Sequence, residues 1–219
     1  MSISIDDTSW YVFTRDNIKN NSELSSLGIS YDEMYKILYD NKAYMDAFII
    51  YEDGDFIEFF IRKNAVASSG PANLSNYSDD FVLDVAKGLA ENQGTNNYSV
   101  YKTQYKFGKL EYFDNNSSYY IYEFYTIINK EAYTFTFQST SALTTAERKE
   151  IEQIINSIKF TIDSTIKEPE TSSIWDGIIV KAMSGAILGG AIGLGSFLFR
   201  KKKKAKNKCT EESNFLVEE

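Results

Sequence analysis

An uninterrupted apolar segment near the C-terminus constrains this chain more than any other feature. Residues 182–199 contain no charged side chain. Five consecutive basic residues follow: Arg200, Lys201, Lys202, Lys203 and Lys204. An α-helix rises about 1.5 Å per residue, so this segment would span roughly 27 Å, close to the thickness of a hydrocarbon core. We expect residues 175–199 to form a transmembrane helix.

Both flanks of the segment carry residues that are typical of a membrane boundary. Lys181 lies near one end, where its ammonium can extend to the headgroups, and Trp175 lies where interfacial aromatic residues are found. The alternative is a buried helix in a soluble core. The span is favoured because the segment follows a polar linker, residues 163–173, and lies outside the pattern of the folded domain. A lipid bilayer is therefore the first predicted partner.

The distribution of basic residues predicts the orientation of the span. Seven Lys or Arg residues follow it in the tail 200–219, whereas Lys167 and Lys181 precede it. The positive-inside rule then makes the tail cytoplasmic and the preceding domain extracytoplasmic. Residues 1–20 contain neither a basic n-region nor an apolar h-region, which conflicts with export of that domain.

Three interpretations resolve the conflict. Met1 is an internal start preceded by a signal peptide, or the span inserts as a tail anchor and leaves the domain in the cytosol, or the amino-terminal part crosses unaided. We favour the first, because the chain begins directly on its first predicted strand. The absence of cysteine from the domain also fits a Gram-positive exterior.

Glycine recurs at every fourth position within the span. Gly185, Gly189 and Gly193 therefore share one helical face, beside a second row of small residues. Small residues at this spacing let two helices approach closely, which predicts self-association or pairing with another span. The alternative is that glycine and alanine are simply common in membrane helices.

The charge and composition of the chain exclude several classes of function. The net charge is −8, although the tail 200–219 is basic, so the folded part is strongly acidic and argues against nucleic acid as a partner. The single cysteine, Cys209, excludes a disulfide within the chain. The chain has no histidine, which removes histidine-based acid–base catalysis and His-liganded zinc. We expect no cofactor.

The residue pattern before the linker predicts one α+β domain, residues 1–162. Alternation and turn residues predict strands at 2–7, 10–13, 43–52, 55–64, 98–107, 110–114, 119–128 and 132–139. Apolar stripes predict three helices, at 30–41, 78–93 and 144–158. Residues 15–28 are predicted to be loop. The order of strands and helices favours an antiparallel sheet flanked by helices.

Capping boxes fix the start of two of these helices. Ser30 with Glu33, and Thr144 with Glu147, place a hydroxyl and a carboxylate three residues apart, where each can bond the other's free amide. In the first helix the apolar face is predicted to include Met34, Ile37 and Leu38, and Tyr31 is a further candidate for that face.

The last part of the domain reads AYTFTFQSTSALTTAERKEIEQIINSIKF and the opening reads ISIDDTSWYVF. Both resemble PsbP-like domains, which are related to a subunit of the photosystem II oxygen-evolving complex. In those domains a strand, a loop and an amphipathic helix close on a serine–x–aromatic pattern, here ending at Phe160; their usual proline after the first strand is replaced by Asp6. The resemblance covers residues 2–162 and implies an α/β/α sandwich without a shared active site.

Aromatic residues are concentrated in the predicted meander of strands. Tyr101, Tyr105 and Phe107 share one strand face, and Tyr120, Tyr122 and Phe124 share another. If helices cover both faces of the sheet, most of these rings are buried. If one face is open, they could bind a glycan or a protein.

Carboxylates are the remaining candidates for chemistry. Glu52, Asp53, Asp55 and Glu58 crowd the predicted hairpin, but their spacing differs from that of a calcium loop, so we expect no metal. We therefore predict a non-enzymatic, single-pass protein that displays an α+β binding or scaffolding domain on the outer face of a Gram-positive-type membrane. The alternatives are a membrane-tethered hydrolase that uses carboxylates and a tail-anchored protein with a cytosolic domain.

Overall fold

The computed structural model describes residues 1–5, 9–52, 54–67 and 70–169. The predicted span 175–199, its glycine row, Lys181 and the cluster Arg200–Lys204 lie outside the described residues. Among the residues that are described, no helix combines the length and the hydropathy needed to cross a bilayer.

The described chain contains seven strands and four α-helices. The strands are β1 Tyr11–Thr14, β2 Ala43–Ile50, β3 Phe56–Ala65, β4 Tyr98–Lys102, β5 Lys106–Asp114, β6 Tyr119–Ile128 and β7 Glu131–Ser139. The helices are α1 Ser22–Ser26, α2 Tyr31–Asp40, α3 Asp79–Asn92 and α4 Thr145–Ser157. Short 3₁₀ turns lie at Ile18–Asn20 and Leu74–Asn76.

All seven strands form one antiparallel sheet, in the order β1-β2-β3-β7-β6-β5-β4. The long strands β3 and β7 pair over nine positions and form the centre of the sheet. The prediction of an α+β fold with an antiparallel sheet and helices is therefore confirmed. Both predicted capping boxes are present as well, at the starts of α2 and α4.

One face of the sheet packs against α4. Three isoleucines of this helix, Ile151, Ile154 and Ile155, lie in one apolar cluster with the strand residues Phe59 and Phe137. The rings of Phe59 and Phe137 stack at 4.1 Å between centroids across the β3–β7 pair. This cluster forms the largest part of the core.

The opposite face carries two helices side by side. Met34 and Leu38 of α2 pack with Phe48 and Phe60 over β2 and β3. Residues of α3 form a separate apolar cluster with β5 and β6, which includes Leu89 of the helix. Between these two apolar clusters, the central strands β3, β7 and β6 carry buried polar side chains on this face.

Gly108 corrects the predicted break between two strands. We expected it to separate 98–107 from 110–114, but it lies inside β5, and the chain turns at residues 103–105 instead. A Cβ atom at Gly108 would lie 3.1 Å from Cβ of Ala86 in α3. The glycine is therefore explained by the close approach of a helix, which a turn-residue argument does not anticipate.

Two further predictions were wrong in detail. The predicted loop 15–28 contains the short helix α1. The predicted strand at 2–7 is reduced, within the described residues, to an isolated bridge between Ser2 and Lys159. The first helix ends as predicted, but Tyr31 is exposed.

The antiparallel topology gives the sheet two distinct ends. The exit end, where residues 158–169 follow α4, holds the start of β2 and the β6–β7 turn, which contains Asn129 and Lys130. The far end holds the β2–β3 and β5–β6 turns, with Glu52, Asp55 and Asp114.

Candidate functional site

The segment that leaves the domain is held at the exit end by one carboxylate, that of Glu168. The backbone N–H groups of Ala72 and Asn73 each donate to it at 2.8 Å. The side chains of Asn76 and Tyr77 each donate to it at 2.9 Å. We call these five residues the exit clamp.

The electrostatics of the exit clamp favour an ionised Glu168. Partial burial acts to raise the pKa of the Glu168 carboxyl, but the hydrogen bonds that it accepts outweigh this, and the pKa lies below its ordinary value. Burial and the bond to Glu168 raise the pKa of Tyr77 to about 12, so its hydroxyl stays a donor. The clamp therefore holds one negative charge by four donors.

Further hydrogen bonds attach the same segment to the β6–β7 turn. The side chain of Asn129 donates to the carbonyl of Thr161 at 2.8 Å and accepts from the N–H of Asp163 at 2.9 Å. The N–H of Asn129 in turn donates to the side chain of Asn73 at 3.0 Å. The first part of the predicted linker, residues 163–169, is thus docked on the domain.

A row of exposed tyrosines lies on the outer side of α2 and continues into β2. Tyr31, Tyr35 and Tyr39 recur every four residues and are each 42% exposed, and Tyr44 is 41% exposed. Ring centroids are 5.8 Å apart between Tyr31 and Tyr35, and 4.0 Å apart between Tyr35 and Tyr39. We call these four residues the tyrosine row. Large aromatic rings aligned on a surface indicate a contact with another molecule.

Arg15 occupies the gap between the last two rings of the tyrosine row. Its guanidinium carbon lies 4.4 Å from the ring centroid of Tyr39 and 4.7 Å from that of Tyr44. Its Nε–H donates to the carbonyl of Ala43 at 2.8 Å. No carboxylate among the described residues forms an ion pair with it. The two terminal nitrogens can therefore bind an external oxyanion in the fork geometry of arginine.

The local backbone explains how Tyr44 reaches this position. Lys42 adopts a left-handed conformation, with φ of 53°, directly after α2. The pairing of β2 with β3 then shifts register between Ala43 and Met45, so Tyr44 is the extra residue of a bulge. A bulge redirects a side chain out of the regular alternation. The redirected ring also lies 5.3 Å from the Nζ atom of Lys63.

A second exposed aromatic pair lies at the far end of the sheet. Phe113 of β5 and Tyr120 of β6 are opposite each other in the register, with ring centroids 4.9 Å apart. They are 44% and 38% exposed, whereas their neighbours Tyr122 and Phe124 are buried in the cluster under α4. The predicted aromatic surface of the sheet is therefore limited to this pair at its far end.

The buried polar strip between α2 and α3 contains the carboxylates with the most unusual surroundings. Glu123 accepts a 2.6 Å hydrogen bond from Thr136 and longer ones, each 3.4 Å, from Tyr112 and Tyr125. Burial raises the pKa of Glu123, while the bond from Thr136 and the positive charge of Arg62 act in the opposite direction. Glu123 is 2% exposed, so its acceptor atoms face other side chains of the domain.

The second interior acid is Glu58 of β3. Its carboxylate accepts a hydrogen bond from the side-chain amide of Gln138, the residue opposite it on β7. Its side chain is fully buried. The register places Glu58 and Glu123 two strands and two residues apart, about 12 Å between Cα atoms. Each acid is thus engaged by its own partners.

The acids of the hairpin are not gathered around one point. Glu58 is in the interior, Asp55 accepts a hydrogen bond from Thr140 at 2.9 Å, Glu52 lies in the turn, and Asp53 lies outside the described residues. No group of three or more metal-ligating side chains in the described part of the chain could hold an ion. A shallow cleft of about 480 Å³ beside β1 is lined by Trp10, Val12 and polar residues.

Sequence reasoning missed the exit clamp and the role of Arg15. The tyrosine spacing at 31, 35 and 39 was visible in the sequence, but Tyr31 was considered for the apolar face of the helix. Comparison with protein-family models, with curated proteins and with solved structures finds no match to this chain. The function is therefore inferred from the residues and their geometry.

Proposed function

We propose that this chain is a single-pass membrane protein whose α+β domain, residues 1–162, is a non-enzymatic binding or scaffolding module. In this proposal residues 175–199 cross the bilayer, residues 200–219 are cytoplasmic, and the domain lies on the outer face of a Gram-positive-type cell membrane. The domain is an α/β/α sandwich of the PsbP-like kind. No nucleic acid, metal or cofactor takes part.

The exit clamp is the observation that carries this proposal. It fixes where the chain leaves the domain, at Glu168, only seven residues before Trp175, the first residue of the proposed span. A clamped exit directly before an apolar segment orients the domain relative to the membrane. The far end of the sheet, with Phe113 and Tyr120, then points away from the bilayer, where it can meet a protein or glycan partner.

The interior carboxylates support a structural role. Glu58 and Glu123 are almost completely buried and are hydrogen-bonded to Gln138 and Thr136. Buried polar groups of this kind specify the packing of a core when they are satisfied. The raised pKa of Glu123 is the one observation in favour of the second candidate, a carboxylate-dependent hydrolase, because general acids have raised pKa values.

Truncation tests the anchor. A chain that ends at residue 174 keeps the exit clamp and lacks the apolar segment, and we expect it to leave the membrane fraction and to remain folded. The full chain is expected to resist extraction at high pH, as integral proteins do. If the truncated chain stays in the membrane pellet as firmly as the full chain, the proposed anchor is wrong.

Protease treatment of cells that produce the full chain addresses the tail-anchor alternative. In intact cells, external protease is expected to digest the domain of the full chain while a tag placed after Glu219 is retained. Full protection of the domain in intact cells, with digestion only after lysis, would indicate the cytosolic alternative instead.

A further inference from the structure

We infer that the surface formed by Arg15, Tyr39, Tyr44, Lys42 and Lys63 is a second membrane contact, which binds the anionic headgroups of the bilayer that holds the anchor. We call it the headgroup patch. This inference rests on the proposed function, since it requires the anchor at residues 175–199. It adds a ligand class, anionic phospholipid, and a fixed orientation of the domain.

The position of the headgroup patch is the first argument. Tyr44 lies at the start of β2, and β2 and β7 are both neighbours of β3, so this residue is at the same end of the sheet as the β6–β7 turn. With about 4.8 Å between strands and 3.3 Å per residue, Tyr44 and Glu131 are roughly 15 Å apart. The patch and the exit clamp therefore share one end of the domain.

The length of the tether is the second argument. Seven residue steps separate the clamped Glu168 from Trp175, and an extended chain covers at most about 3.6 Å per residue. The exit end is thus held within about 25 Å of the membrane interface. The headgroup patch lies at this same end of the sheet, so a modest tilt of the domain brings it to the headgroup layer.

The chemistry of Arg15 is the third argument. Its guanidinium carbon lies over the rings of Tyr39 and Tyr44, and its Nε–H donates to the carbonyl of Ala43. Its terminal nitrogens form no ion pair with a carboxylate in the described part of the chain. Such a preoriented fork matches the oxygens of a phosphate, and loses little freedom when it binds one.

The residue types around Arg15 are the fourth argument. Tyrosine is enriched at the level of the headgroups, where its ring is apolar and its hydroxyl is solvated, and basic residues are attracted to anionic lipid. Lys42 is exposed beside Tyr44, and Lys63 pairs with Glu131 at 2.7 Å. Asp16 and Asp40, which follow Arg15 and Tyr39 in the chain, are also exposed. Their negative charges weaken the general attraction of the patch to anionic lipid, so binding depends on the direct contact that Arg15 makes with a headgroup.

The stacking of the rings disfavours a glycan as the occupant. A sugar packs on the face of an aromatic ring, but Tyr35 and Tyr39 cover each other at 4.0 Å with an interplanar angle of 20°, and Arg15 covers another face. These ring faces are therefore already in contact with other side chains. The exposed rings of the tyrosine row sum to roughly 350 Å², less than half of one side of a stable protein interface.

The experiment uses the full chain in liposomes, with Cys209 replaced by serine. A single fluorophore is placed at the exit end by Asp40→Cys or at the far end by Asn115→Cys, both at exposed positions. Lipids that carry a quencher near the headgroup are mixed with phosphatidylcholine alone, or with phosphatidylcholine and 30% phosphatidylglycerol. We expect quenching at position 40 in the anionic liposomes only, and none at position 115 in either.

Variants of Arg15 complete the test. Arg15→Gln is expected to lower the ratio of docked to undocked domain about fivefold, the effect of one basic residue near an anionic surface. Arg15→Lys keeps the charge and is expected to lower it by less. Lys149→Gln removes an exposed cation near the start of α4, at the other end of the sheet, and is expected to change nothing.

Several results would overturn the inference. Equal quenching in neutral and anionic liposomes would show that charge is irrelevant, and equal effects of the Arg15 and Lys149 variants would show that Arg15 has no special role. Displacement by a soluble glutamate-rich peptide or by an anionic oligosaccharide would identify the patch as a site for that ligand instead. If the full chain does not float with either liposome, the anchor itself has failed, which is a distinct outcome.

Discussion

Removal of the Glu168 carboxylate provides the sharpest test of how the chain leaves the domain. Glu168→Gln keeps the size of the side chain, but its NH₂ group replaces one of the two acceptor oxygens and would face the N–H of either Ala72 or Asn73. Hydrogen bonds to charged groups contribute about 1.5–3 kcal/mol each when buried, and Glu168 is partly exposed, so each bond must be discounted for solvent. Two of the four bonds lose their acceptor oxygen and the other two lose the charge of theirs, so we take an average of about 0.5 kcal/mol for each, or about 2 kcal/mol in all.

This figure predicts a roughly 30-fold loss in the docking equilibrium of residues 163–169, since 1.4 kcal/mol corresponds to a factor of ten. Amide hydrogen exchange at Ala72 and Asn73 measures it directly, because their N–H groups donate to Glu168. Both amides are expected to exchange about 30 times faster in Glu168→Gln. Glu91→Gln, at an exposed position of α3, removes one acid without touching the clamp and is the matched control.

The pH dependence of amide protection is an independent test of the exit clamp. The pKa of Glu168 is lowered in the folded chain, so its contribution is complete above the ordinary glutamate value of about 4.5 and is lost as the pH falls through the lowered value. Protection of the two amides should therefore fall on acidification in the wild type and stay flat in Glu168→Gln. Unchanged exchange in the variant at neutral pH would refute the clamp.

Three further perturbations test other parts of the structure. The raised pKa of Glu123 means that its ionisation lowers the stability of the wild type as the pH rises above about 4.5. The free energy of unfolding of Glu123→Gln in urea, relative to the wild type, should therefore increase with pH. A difference that stays constant with pH would contradict this. Gly108→Val places atoms against Ala86 and should cost about 2 kcal/mol in the same assay, whereas full stability would show that α3 can move away. If the glycine row pairs spans, Gly189→Leu combined with Gly193→Leu should reduce crosslinking within the membrane, and undiminished crosslinking would exclude that role.

The sequence was informative where local chemistry decides the structure. Ser30 and Thr144 each begin a helix, as the capping pattern predicted, and the apolar stripe of the first helix identified Met34 and Leu38 as core residues. Alternation and turn residues were sufficient for the β2–β3 and β6–β7 hairpins of the sheet. These features depend on neighbours a few residues away, so a single sequence contains them.

Interactions between distant segments could not be predicted in the same way. Gly108 was interpreted as a break, because its real partner, Ala86, is 22 residues away in the chain and is brought close only by the packing of α3. The donors of the exit clamp lie more than 90 residues before Glu168, and nothing in the polar segment 163–169 distinguishes that glutamate from its neighbours.

The tyrosine row is an intermediate case. Its spacing was in the sequence, but Tyr31 was considered for the buried face of the helix together with Met34, Ile37 and Leu38. The position of Arg15 between Tyr39 and Tyr44 depends on the left-handed Lys42 and on the bulge at Tyr44, two irregularities that periodicity cannot express. The irregular backbone at Lys42 and Tyr44 therefore completes a surface of which the sequence pattern shows only the tyrosine spacing.

The central claim, a domain anchored outside the cell by a span whose tail is inside, is tested most directly by single-thiol labelling. Cys209 is the only cysteine of the chain and lies in the tail. In intact cells that produce the full chain, a membrane-impermeant maleimide should leave Cys209 unlabelled until the cells are permeabilised. It should label Asn115→Cys at once in a Cys209→Ser background. Labelling of Cys209 in intact cells together with protection of position 115 would contradict the account.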